Sequence, residues 1–499
     1  MSCLLCVFLF VISAFGQPLS IEGDRLRAHI RFLSSDLLEG RAVGTRGGEL
    51  TTQYLASAFE AAGAKGAGDG GTFFQRVPLA GVLVSPASRI TLGGKPLLWR
   101  KDFVGSTHTQ EEEVNLAAPL VFVGHGIRAP EFGWDDYAGV DAKGKIVVLF
   151  TGEPPSEDPA FFGGKALTYF GRWTYKFEEA ARQGATGAII IHTEATASYG
   201  WNVVENSWAR EDIQLERKVT DPALRVAAWI SSTAATLAGL DVEDLLRKAD
   251  TKGFTAIALT QTAQVDIQAK LRKIESQNVV ARVQGSDPST GDEHILYSAH
   301  WDHLGVGLEG EDRIFNGAVD NASGCAMLIE FARAWAAMSP RPRRSVLFLA
   351  VTGEESGLRG SDYYTRNPLL PLAAAKLNIN VDGIVPGGKP GGLLALGEDK
   401  ANAWPLIEEA ARRYGVALRP DPRPEAGAAF RSDHFSFVKA GVSAFSLIPV
   451  DVPGTFAQNY NQKHYHQPSD QYSPDWDMTS NEIVAKLALM IGVNAASRP

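Results

Sequence analysis

Acidic and histidine residues recur along the second half of this chain, several of them directly after a short apolar run. Ser298-Ala-His300-Trp-Asp302-His303 follows the run Ile295-Leu-Tyr-Ser298, and Asn316-Gly-Ala-Val-Asp320-Asn-Ala-Ser-Gly324 precedes an apolar helix-like stretch. Val351-Thr-Gly-Glu354-Glu355-Ser-Gly357 follows Ser345-Val-Leu-Phe-Leu-Ala-Val351, Asp382 closes Asn378-Ile-Asn-Val-Asp382, and Lys463-His-Tyr465-His466-Gln-Pro-Ser-Asp470 lies in a polar loop. Taken singly, each has an ordinary explanation. Asp320 could cap the following helix, with Ser323 competing for that role, and the others could be polar turn residues. Together they place a mixed nitrogen and oxygen donor set at the ends of successive strands, where open α/β sheets bind ligands. Such a set suits Zn²⁺, with Co²⁺ or Mn²⁺ as alternatives. Five such donors exceed the needs of one tetrahedral ion, and two ions about 3.5–4 Å apart sharing a carboxylate would use them all. Residues i and i+2 of an extended chain face the same way, so Asp302 could accept a hydrogen bond from the other ring nitrogen of His300.

The elements that must position these residues alternate between strand and helix. Strands are expected at Asn278–Val283, Ile295–Ser298, Val346–Val351, Leu377–Val381, Leu393–Leu396 and Val442–Ile448, and helices at Ser323–Met338, Ala401–Tyr414 and Asn481–Ala496. Continuous apolar strands predict an α/β fold with a mixed, largely parallel central sheet covered by helices on both faces. Earlier, helix-like spacing covers Ile21–Ser35 and Gly47–Ala62. A second, smaller α/β pattern starts near Leu116, includes Gly144–Phe150, Lys176–Gln183 and Gly187–His192, and finishes near Thr260.

Familiar signatures are mostly missing: there is no HExxH, GxSxG or Walker loop. Gly305-Val-Gly307-Leu-Glu-Gly310 matches the dinucleotide pattern, but the charged stretch after it is not the start of an apolar-faced helix. Asn321-Ala-Ser323 matches a glycosylation sequon inside the donor constellation, where a glycan is implausible.

Read in order, "SAHWDHLG", "NGAVDNASG", "TGEESGLRGS", "NINVDG", "RSDHFSF" and "YHQPSD" resemble the motifs of the M28 peptidases, co-catalytic zinc aminopeptidases. The resemblance runs from Asn278 to the C-terminus, and "LEGRAVGTRGG" and "GTFFQRV" are similar to the family's N-terminal part. It implies two zinc ions, one held by His300 and Asp382, the other by Glu355 and His466, with Asp320 bridging. It further implies Asp302 as the partner of His300, Glu354 as general base, Tyr465 as a donor to the developing oxyanion, and a cis peptide between Asp320 and Asn321. Asp433 and His434 match a motif near the family's substrate cleft. A second resemblance, through "LVFVGHGIRAPEFGWDDYAGVDAKGKIVVLF" and "KFEEAARQGATGAIII", is to the protease-associated domain. The expected organisation is therefore a peptidase domain over residues 17–115 and 265–499, with an inserted protease-associated domain at 116–264. The implied substrates are peptides with a free N-terminus. Glutaminyl cyclases share the fold but use one zinc, the related amidohydrolases and carboxypeptidases carry their insertion later in the chain, and transferrin-receptor-like scaffolds lack the metal ligands.

Composition agrees with a globular protein of more than one core: 499 residues, 45% hydrophobic and 21% charged. A net charge of −9 and the lack of a basic patch argue against nucleic acid as a partner. The apolar opening, ending in Ala14-Phe-Gly16, is too short to span a bilayer and reads as a secretory signal peptide over residues 1–16, predicting a secreted or periplasmic protein without stable membrane insertion. It lacks a Lys or Arg in its first residues, so an uncleaved anchor is the alternative, and the residues before Cys6 fit a lipobox poorly. Of three cysteines only Cys325 lies beyond that segment, so there is no disulfide framework.

Overall fold

The computed structural model describes residues 20–307, 310–397 and 403–498. The expected signal peptide lies outside the described residues, as does the start of the expected helix at Ala401, which runs over Trp404–Tyr414.

The α/β expectation holds. Four strands form a parallel core in the order Ala444–Val450, Ala375–Asn380, His294–His300 and Ser345–Val351, and most of their residues are buried. Antiparallel strands close both sides: Gly392–Leu396 beside Ala444–Val450, and Ile257–Val283 beside Ser345–Val351. Parallel register pairs His300 with Val351 and Ser298 with Asn380, so the ends of three neighbouring strands open onto one edge. Helices Ser323–Ala337 and Thr479–Ser497 are apolar around most of their circumference and are correspondingly buried. Tyr297 fastens the second of these to the sheet, its hydroxyl directed at the carbonyls of Ala488 and Leu489.

The smaller α/β pattern forms its own sheet and core. Its strands Glu113–Phe122, Ile146–Phe150, Gly187–His192 and Val226–Ser231 run parallel to their neighbours, and Phe103–Ser106 adds an antiparallel edge. Two features differ from the sequence reading. The stretch between Thr260 and Asn278 is not a junction between regimes: Ile257–Val283 is one continuous strand, pairing with Glu113–Phe122 over its first part and with Phe74–Val84 and Ser345–Val351 over its second. Its alternating burial explains why it escaped a search for continuous apolar runs. Strands Arg89–Leu92 and Phe103–Ser106, which precede residue 116, also hydrogen-bond within the smaller sheet. Among the described residues no helix is long and apolar enough to cross a membrane.

Candidate metal centre

At the open edge of the parallel strands the donor residues converge. His300 ends its strand and is buried, with Nε2 lying 3.1 Å from Asp382 Oδ1 and 3.2 Å from Asp320 Oδ1. On the other side, His466 Nε2 lies 3.2 Å from Asp320 Oδ2 and 3.2 Å from Glu355 Oε2. Asp320 therefore stands between two clusters, presenting one oxygen to each. The loop that carries it is held by Asp470, whose carboxylate accepts the main-chain N–H groups of Val319 and Asp320, each at 3.0 Å. The Asp320–Asn321 peptide is cis, as the resemblance implies.

The expected side-chain pairing of Asp302 with His300 is not what the geometry shows. His300 Nδ1 faces the main-chain carbonyl of Asp302 at 3.1 Å, while the nearer carboxylate oxygen is 4.0 Å away. That oxygen instead accepts the main-chain N–H of Glu354 at 3.2 Å. The strand has ended at His300, so the alternation that would bring the two side chains to one face no longer applies. Asp302 thus contacts His300 through its main-chain carbonyl and the Glu354 N–H through its side chain.

His303, quoted within a motif but given no role by the sequence, directs Nδ1 at Glu355 Oε1 at 2.6 Å and lies 3.9 Å from Asp320 Oδ2. Its proximity to His300 in the chain was the available signal. Ser432 was also missed: its hydroxyl donates to Asp382 Oδ2 at 2.6 Å and accepts from Asn380 Nδ2 at 2.7 Å. Asp433 and His434 lie buried behind it, Asp433 accepting from Ser361 at 2.6 Å. Cys325, the lone cysteine among the described residues, is buried and donates to the carbonyl of His300 at 3.2 Å. Tyr465 is half exposed at the mouth of the site, its ring stacked on that of His466 at 3.9 Å.

Electrostatics separate the two adjacent glutamates. Burial, reinforced by Asp382, Glu355 and Asp433 against the pull of His300, raises the Glu354 pKa well above the ordinary carboxylate value. Glu355 is shifted the other way: burial opposes its ionisation, but His466 and His303 overcome it and hold the pKa low. Burial likewise works against the charged form of His466, yet Glu355 and Asp320 raise it to about 11. Carboxylates this close stay ionised only beside positive charge, and a multivalent cation supplies it more effectively than a proton on histidine. The donor atoms of His300, Asp320 and Asp382 lie within 4.8 Å of one another, as do those of His303, Asp320 and Glu355. The donor set, its mutual distances and its excess of carboxylates fit zinc.

Comparisons with known proteins bear on the family and the fold. Residues 278–491 match the model of Peptidase family M28. Leupeptin-inactivating enzyme 1 of Streptomyces exfoliatus is 30% identical over 215 residues, which cover 42% of this chain and 43% of that protein. Aminopeptidase NAALADL1 of Rattus norvegicus is 33% identical over 125 residues, 24% of this chain and 15% of the relative. The chain thus spans less than half the length of these curated relatives. Among solved structures, an aminopeptidase from Aneurinibacillus sp. strain AM-1 shares the fold, with a TM-score of 0.53 and 21% identity over 96% of this chain and 94% of the other.

Proposed function

Because residues 278–491 form a peptidase domain of family M28, we propose that the protein is a zinc-dependent aminopeptidase that hydrolyses the N-terminal peptide bond of peptides. The observation that carries this reading is the pair of histidine–carboxylate clusters sharing Asp320, with Glu354 beside them 4.0 Å from His300 Nε2. His300 and Asp382 would hold one zinc ion, Glu355 and His466 the other, and Asp320 both. Zinc bound there lowers the pKa of water and polarises a carbonyl.

Glu354 takes the proton of the attacking water and delivers it to the leaving amine. Its buried, proton-favouring surroundings suit a group that must hold a proton between those events. Asp302 keeps Glu354 in place through the Glu354 N–H and turns His300 through its own carbonyl. Tyr465, half exposed at the mouth, offers its hydroxyl to the developing oxyanion. The surplus of carboxylates attracts a free α-ammonium group, which favours an exopeptidase.

The smaller sheet, expected over 116–264 and extended by the paired strands from 89–106, acts as a protease-associated unit that limits approach to the site. Its Tyr169 packs against Phe435 at 4.7 Å, and its Glu178 pairs with Lys439 at 2.8 Å, both on the helix that follows Ser432 and Asp433. Residues 1–16 act as a signal peptide, so the protein works in the periplasm or outside the cell.

The reading is tested with purified protein on aminoacyl-p-nitroanilides and short peptides. Free N-termini should be cleaved one residue at a time, N-acetylated substrates should resist, and chelation should abolish turnover until zinc is restored. Protein that binds no metal, or that cleaves acetylated substrates equally well, would contradict it.

A further inference from the structure

Arg41 is almost completely buried, yet among the described residues its guanidinium bonds no carboxylate. Every bond it makes is to a main-chain carbonyl. Nε donates to Trp301 at 2.9 Å, Nη1 to Leu33 at 2.6 Å and Asn316 at 2.5 Å, and Nη2 to Gly317 at 3.0 Å and Asp320 at 3.3 Å. Burying a cation without a directly bonded counter-charge costs several kcal/mol, so a structural staple alone would be better built from neutral groups. Burial pulls its pKa below the ordinary value, and the groups whose fields favour its charge, Cys325, Asp320, Asp470 and Asp302, all surround the candidate metal centre.

The carbonyls it gathers are not a random set. Trp301 sits between His300 and Asp302, while Asn316, Gly317 and Asp320 belong to the loop that presents Asp320. Leu33 closes the first helix, Gly23–Leu33, and anchors the whole fork to the body of the domain. The turn carrying Arg41 is shaped to reach inward: Glu39, Gly40 and Arg41 all have left-handed backbone angles, and a Cβ on Gly40 would meet the Gly305 carbonyl oxygen at 2.4 Å. The main-chain carbonyl of Arg41 also faces the N–H of His303 at 3.4 Å. A planar guanidinium with donors in fixed directions can span these carbonyls, and a lysine ammonium cannot.

We propose that Arg41 is a positioning residue of the metal centre, pinning the backbone that carries His300 to the loop that carries Asp320 and so setting how tightly metal is held. The inference rests on the zinc reading of the site. It assigns to the N-terminal "LEGR" turn, far from the donors in sequence, control over the separation of the donor that ends one strand and the donor shared by both clusters.

The test compares full-length wild type with Arg41→Lys and Arg41→Met. Zinc affinity is measured by competition with a chromophoric chelator, and melting temperature is recorded with chelator and with saturating zinc. The expected result is zinc bound about ten- to hundredfold more weakly, less so in the Lys variant, with a smaller rise in melting temperature on adding zinc. A purely structural role would lower both melting temperatures equally and leave affinity within twofold of wild type, which overturns the proposal. Should neither variant fold, Asn316→Ala carries the test, because it removes the side-chain bonds to Ser34 and Asp36 across the same seam. Unchanged zinc affinity in that variant likewise overturns the proposal, and weakened affinity supports it. Wild-type protein that binds no zinc overturns the reading of the site itself, and this proposal with it.

Discussion

His303 and His466 grip Glu355 from opposite sides: Nδ1 of His303 lies 2.6 Å from one carboxylate oxygen, and Nε2 of His466 lies 3.2 Å from the other. His303 is buried and its hydrogen bond fixes the plane of the carboxylate, so in the proposed zinc centre it would act on metal through Glu355. His303→Ala should weaken zinc binding about ten- to hundredfold, with restoration of activity at high zinc. Equal zinc affinity in variant and wild type, measured by chelator competition, would show that Glu355 needs no such support.

Glu354→Gln keeps the size of the side chain and the main-chain bond to Asp302 but removes the carboxylate proposed to move the proton. It should retain zinc at wild-type stoichiometry while kcat falls about 10²- to 10⁴-fold and KM changes little. Steady-state kinetics on an aminoacyl-p-nitroanilide, paired with elemental analysis, separates loss of the base from loss of metal.

Removing metal should cost stability as well as activity. Asp320, Glu354, Glu355 and Asp382 converge in a poorly solvated site, and a ligand bound only by the folded state stabilises it by about 4 kcal/mol at a thousandfold excess over its Kd. The melting temperature should therefore climb with free zinc in wild type. Asp320→Asn, which withdraws charge from both clusters, should flatten that climb, and calorimetry across a zinc series reads it directly.

Acid should weaken the fold through a histidine remote from the site. His294 is buried, its Nδ1 faces the Asp292 carbonyl at 2.7 Å, Nε2 has no hydrogen-bond partner among the described residues, and burial lowers its pKa below the ordinary value. The folded state therefore holds fewer protons here than the unfolded chain, so this stability is present above about pH 6.5 and is lost as pH falls below it. His294→Gln should show a shallower fall in melting temperature between about pH 6.5 and 5 than wild type. Parallel slopes would assign the acid sensitivity elsewhere.

Gly492 lets the C-terminal helix approach the sheet. A Cβ there would meet the Tyr297 hydroxyl at 2.0 Å, the same hydroxyl that binds the helix carbonyls. Gly492→Ala should destabilise by about 1–3 kcal/mol in denaturant unfolding. Adding Tyr297→Phe should recover part of the loss by removing the clashing oxygen.

Much of the site was legible because strand ends are marked in sequence. His300, Glu354, Glu355 and Asp382 each follow a buried apolar run, so their convergence needs only parallel neighbours in register. Asp320 and His466 follow no strand of that sheet, and their particular roles in the donor set were implied only by the resemblance of their loops. Residues 261–277 of the strand Ile257–Val283 read as a boundary between two regimes because they alternate in burial rather than forming a continuous apolar run.

The residue types and their order thus determined by themselves that this is an α/β chain with a carboxylate–histidine centre at the edge of its sheet, since hydrophobic patterning and strand termination are local properties. Only the tertiary structure decided how those groups are held: that Asp302 serves His300 through its carbonyl, that His303 orients Glu355, and that Arg41 reaches the metal loops from the far end of the chain. Those relationships depend on distances and directions between segments remote in sequence, which no local pattern encodes.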